Sequence, residues 1–111
     1  MPYIAPTIRK ELDGLIDQLA ERLAHQAQAQ GDQGAVAGLL NYTCTRLALQ
    51  SVRRQFGPLR YWLIALLTGV FQNVADEFYR RLAGPYENKQ MAQSGDVDLY
   101  QEYLAEIEGR S

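Results

Sequence analysis

The sequence predicts an all-α fold. The expected architecture is a small helical bundle of about four helices around a central apolar helix, residues 59–82, in an oligomeric protein. Three observations carry this. Ile8, Leu12, Leu15, Ile16, Leu19 and Leu23 recur at steps of 4, 3, 1, 3 and 4, which fits a helical period and not a strand. The run Tyr61-Trp62-Leu63-Ile64-Ala65-Leu66-Leu67-Thr68-Gly69-Val70-Phe71 is apolar around the whole circumference of a helix. No β-hairpin signal interrupts these segments.

Residues 1–6 read as an extended arm, restricted by Pro2 and Pro6. Thr7 is the expected N-cap of the first helix. Arg9, Lys10, Asp13, Asp17, Glu21 and Arg22 lie off its apolar stripe, so one face meets core and the other water. Its end, His25-Gln26-Ala27-Gln28-Ala29-Gln30, is polar and low in complexity, and fraying is expected there. Gly31-Asp32-Gln33-Gly34 is a turn with Asp32 as N-cap of a second helix running to about Arg54. Val36, Leu39, Leu40 and Leu47 make its stripe, with Thr43 and Cys44 alongside. Gly57-Pro58 ends the connection. The third helix then runs from near Leu59 to about Leu82, with Val74, Phe78 and Leu82 at every fourth position. Ala83-Gly84-Pro85 reads as its stop. Residues 86–97 read as a structured loop, with room for one helical turn across Lys89–Gln93. A last helix is expected over 98–108, with Leu99, Tyr100, Tyr103, Leu104 and Ile107 on its apolar side. The 111 residues are expected to form one domain.

The totals narrow the function classes. A hydrophobic content of 47% argues for a folded chain. The net charge of −2 gives no support to nucleic-acid binding, which favours a basic domain. Cys44 is the sole cysteine and has no intramolecular partner; its neighbours suggest a small buried hydrophobe. The N-terminus lacks a basic region followed by an apolar one, so a cytoplasmic location is expected. The apolar run of 11 residues is short of the ~20 needed to span a bilayer. A helix apolar on all sides must be enclosed, and this short chain has few helices to enclose it. Self-association follows as the expectation, through Tyr61, Trp62, Leu66, Gly69 and Val70.

Ordered motifs add a resemblance. The chain opens Met1-Pro2-Tyr3-Ile4, carries Leu40-Asn41-Tyr42 and Thr45-Arg46-Leu47, then Gly69-Val70-Phe71, Glu77-Phe78-Tyr79-Arg80-Arg81, Gly84-Pro85-Tyr86-Glu87-Asn88-Lys89 and Gly95-Asp96-Val97. This set resembles a family of short, uncharacterised bacterial and bacteriophage proteins over about residues 1–97. The chain departs from that pattern at Gln72 and Ala75, where an acid and a lysine are usual, and in its helix beyond Asp98. The resemblance implies a phage-like helical protein with no activity to carry over.

Arg80 and Arg81, with Tyr79 and Tyr86, form the first candidate site. Adjacent guanidinium groups can fork onto a phosphate or carboxylate while a tyrosine stacks on a base. Equally, cations favour a helix C-terminus, and Arg81 can pair with Glu77 at (i, i+4). Tyr42 and Arg46, with Asn41 and Arg53, share a face of the second helix; the alternative is a solvated polar face. Asp96 reads as a turn or cap residue. Glu21 and His25 have the spacing of a metal-ligand pair, but no second pair accompanies them, so no metal is expected. No catalytic residue and no cofactor is expected. The remaining tyrosines suit interfaces, where the ring is buried and the hydroxyl stays wet.

These features point to a non-enzymatic homo-oligomer that binds or sequesters a small anionic, nucleotide-like ligand through Tyr42, Arg46, Arg80, Arg81 and Tyr86. A protein-interaction adaptor or inhibitor docking a host or phage protein is the alternative. A degenerate all-α nucleotide pyrophosphohydrolase is a third reading; Asp76 and Glu77 supply at most one of its acid pairs. Neither membrane nor nucleic acid is an expected partner.

Overall fold

The computed structural model describes residues 2–109. It contains five α-helices: α1 (Pro6–Gln30), α2 (Ala35–Phe56), α3 (Tyr61–Phe78), α4 (Gly84–Ser94) and α5 (Asp98–Ile107). A π-helical turn, Tyr79–Ala83, joins α3 to α4. No strand occurs among the described residues, and no helix there is long and apolar enough to cross a membrane. The chain divides into two units, Met1–Val70 and Phe71–Ser111.

In the first unit α1 packs on α2. The cap of α1 differs from the expected Thr7. Ala5 is the N-cap, extended at ψ 143°, and Pro6 stands in the first turn. A proline disfavours helical backbone in the residue before it, and its missing N–H costs nothing where helical amides are unpaired anyway. The arm is tied down by Arg9, whose Nε donates to the Ile4 carbonyl at 2.9 Å. The Gln/Ala tail, expected to fray, is helical. Helix continues to Gln30, since alanine and glutamine are good helix formers, and Gly31 closes it at φ 72°. Asp32 is not the N-cap of α2: that position is Gly34, whose amide donates to Asp32 Oδ1 at 3.0 Å in the turn before the helix.

Gly57 separates α2 from α3 at φ 84°, a backbone that residues with a Cβ rarely adopt. Phe56 and Trp62 meet edge to face across this turn, ring centroids 4.9 Å apart at 76°. Nearby are the two buried apolar side chains among the described residues, Leu63 at 0% and Val52 at 7% exposure. Cys44, expected to be buried, is exposed. Its expected stripe neighbours Val36, Leu40 and Leu47 are exposed as well, so this side of α2 is not core within the chain.

In the second unit the structure corrects two expectations. The helix does not stop at Ala83-Gly84-Pro85, and residues 86–97 are not mainly loop. Pro85 has no N–H to donate to Arg81, and its ring would strike the carbonyl four residues back in a regular α-helix. The chain widens by one π turn instead: the Gly84 amide donates to the Tyr79 carbonyl, five residues back. Helix then resumes as α4, with Pro85 in its first turn, until Gly95 at φ 85°. Asp96 works in the following turn, its Oδ1 accepting from the Val97 amide at 2.7 Å. The last helix lies where expected, ending one residue earlier.

Candidate functional site

The π turn borders a concavity of the second unit. This is an open groove of about 760 Å³ lined by Ala75, Phe78, Tyr79, Leu82, Ala83, Tyr86 and Glu87. Its wall is almost wholly apolar or aromatic. π turns recur at functional sites because the extra residue re-aims the side chains around it. Here Tyr79 Oη donates to Glu87 Oε2 at 2.9 Å. That hydrogen bond, with the nearby Glu87 charge, raises the Tyr79 phenol above its ordinary range. Glu87 is thus the acidic element of the groove. It lies eight residues from Tyr79, roughly 12 Å along a regular helix axis, so only two long side chains can close the gap.

Tyr86 lines this groove, whereas Arg80 and Arg81 are not among its lining residues. Glu77 pairs with Arg80, not with Arg81 as expected. Arg80 Nη2 lies 3.0 Å from both Glu77 oxygens, and Nε donates to Oε1 at 3.2 Å. The spacing is (i, i+3), and such exposed helix pairs contribute roughly 0.2–0.5 kcal/mol. Arg81 makes no ion pair among the described residues. Of the two adjacent arginines, Arg81 is the one that Glu77 does not hold. The pairing also occupies Glu77, one of the acids that a pyrophosphohydrolase centre would require.

Tyr42 and Arg46 lie in the first unit, four residues apart on α2, and both are exposed. Tyr42 lines a shallow hollow with Ala37, Gly38, Asn41 and Thr45. Thr45 Oγ1 donates to the Asn41 carbonyl at 2.7 Å, which holds the floor of that hollow together. Arg46 is not among the hollow's lining residues, nor does it form an ion pair among the described residues. The five candidate ligand residues thus divide between the units, with Arg80, Arg81 and Tyr86 in the second.

The expected interface residues are largely open to solvent. Tyr61 is 83% exposed, Trp62, Leu66 and Val70 are also exposed, and Gly69 is half-buried. Glu21 and His25 share a concavity on α1 with Leu15, Gln18, Leu19 and Arg22. Among the described residues, no three His, Cys, Asp or Glu side chains gather where a metal ion would sit.

Comparison with known proteins places the chain in a family. The family described as Domain of unknown function (DUF6899) matches residues 1–97, and the chain belongs to that family. No curated protein matches the chain, and no solved structure does.

Proposed function

We propose that this protein is a non-enzymatic, homo-oligomeric binding protein that works with much of its apolar surface covered by other protein. One observation carries the reading. The chain leaves 9811 Å² accessible, whereas a folded monomer of 12.5 kDa leaves about 6,200 Å². Interfaces between domains of one chain bury roughly 600–1,500 Å². An interface of that size accounts for less than half of the surplus of about 3,600 Å². The remainder exceeds the ~800 Å² that each partner contributes to a standard protein interface. Tyr61, Tyr79, Tyr86, Tyr100 and Tyr103 are spread over this surface, each more than half exposed, and tyrosine is enriched in interface cores.

A second reading is favoured by the state of Arg81. It is a guanidinium without an ion pair among the described residues, five residues from the groove tyrosine Tyr86. That arrangement suits a small anionic ligand with an aromatic body, held by charge at Arg81 and by stacking at Tyr86.

Purification from its native host under gentle conditions, followed by mass measurement of protein and small-molecule content, tests these readings. A stoichiometric complex with a second protein supports an adaptor or inhibitor. A co-purifying anion that is lost in Arg81→Ala supports the ligand reading. A bare monomer stable at micromolar concentration would count against both.

A further inference from the structure

The assembly proposed above needs a seam, and two helices supply matching halves of one. Helix α5 is ten residues long, too short to hold its shape in water unaided. Its half-buried residue is Ala105. On the helical wheel, Leu99, Tyr100, Tyr103, Leu104 and Ile107 lie on the opposite side, and each is between 51% and 80% exposed. Asp98, Glu102 and Glu106 are its charged members, with no basic residue in the helix. Glu102 and Glu106, four apart, border the apolar face.

Helix α2 is the converse. Arg46, Arg53 and Arg54 are its charged members, with no acid anywhere in the helix. Tyr42, Arg46, Leu49 and Arg53 follow steps of 4, 3 and 4, the spacing of a coiled-coil seam, and all four are exposed. That stripe is about 17 Å long, and α5 is about 15 Å long. The two faces agree in length and carry opposite charge, and Tyr42 and Leu49 give the α2 stripe apolar surface to set against that of α5. Neither Arg46 nor Arg53, Glu102 nor Glu106 makes an ion pair among the described residues.

We propose that α5 of one copy docks along α2 of a second copy. Its apolar face covers Tyr42 and Leu49, and Glu102 and Glu106 pair with Arg46 and Arg53. A two-fold axis makes the exchange reciprocal, giving two identical seams per dimer. This rests on the homo-oligomer reading and assigns its interface; the anion that Arg46 meets is then a carboxylate of the partner copy.

Charge reversal tests the seam. One variant carries Arg46→Glu and Arg53→Glu, the other Glu102→Arg and Glu106→Arg. Circular dichroism confirms that each keeps its helix content. Each variant alone places like charges in both seams and should run at the mass of one chain, where the unaltered protein runs at two or more. Mixed in equal amounts, the variants should form a one-to-one heterodimer, because each seam then joins opposite charges. Variants that stay oligomeric alone would overturn the seam while leaving the oligomer in place. Failure of the mixture to assemble, with mass restored only when all four substitutions share one chain, would place α5 on α2 of its own chain and overturn exchange between copies. An unaltered protein that is monomeric would defeat the oligomer reading itself.

Discussion

Gly84 donates its amide to the carbonyl of Tyr79, five residues back, and a Cβ on Gly84 would lie 3.4 Å from that oxygen. This bond marks the place where the helix from α3 to α4 passes Pro85 without breaking. The cause is Pro85, so Pro85→Ala should remove it. With an N–H restored at position 85, a regular bond to the Arg81 carbonyl becomes available and the π turn should tighten to α. Every residue after the turn then rotates by about 100° relative to those before it. The expected result is a protected amide at position 85 in hydrogen exchange, together with loss of the bond between Tyr79 and Glu87. An unprotected amide with that bond intact would show that the π turn has another cause.

The Tyr79 phenol should titrate late. Glu87 accepts its proton in a hydrogen bond and repels the phenolate, so the folded pKa lies above the unfolded value of 10.0. The folded state therefore holds the proton more tightly than the unfolded chain. Its contribution to stability is fully present below pH 10 and is lost as the pH rises through the folded pKa. Ultraviolet titration of tyrosinate should show a late component from Tyr79 that moves back towards 10.0 in Glu87→Gln. A profile unchanged by that substitution would contradict the assignment.

The first unit's stability should concentrate near the Gly57 turn. Leu63 is fully enclosed, and Leu63→Ala should cost about 2–5 kcal/mol in denaturant unfolding. Phe56→Ala should remove the edge-to-face contact with Trp62, losing roughly 0.5–1.5 kcal/mol beyond its lost burial. By contrast, Leu15→Ala truncates a side chain that is 67% exposed within the chain. Its effect should be small unless assembly covers it, and should then grow with protein concentration.

Much of the fold was legible because periodicity reports which side of a helix is apolar. The stripe from Ile8 to Leu23 placed α1, and Leu99 to Ile107 placed α5 within a residue. The same dipeptide, Gly-Pro, then gave opposite outcomes at two places. Gly57 takes φ 84° and ends a helix, whereas Gly84 takes φ −58° and continues one. Glycine permits both, since without a Cβ it escapes much of the clash that a following proline imposes. Local composition does not decide between them. The bond between Tyr79 and Glu87 was hidden for a related reason: no helical spacing rule pairs residues eight apart, and the contact depends on the π turn. The choice of Arg80 over Arg81 by Glu77 turned on (i, i+3) against (i, i+4) geometry, two spacings that a sequence allows equally.

Anion binding should separate the adjacent arginines. Arg81→Ala should weaken binding of pyrophosphate at least tenfold in calorimetry, because its guanidinium is not held by Glu77. Arg80→Ala should have the smaller effect. Equal losses in the two alanine variants would contradict the division of roles.

Assembly from copies of this chain is what the proposed function requires. Native mass spectrometry of the unaltered protein at micromolar concentration reads it without any variant. A whole number of 12.5 kDa chains, two or more, is expected. A spectrum holding only the single 12.5 kDa chain would contradict it.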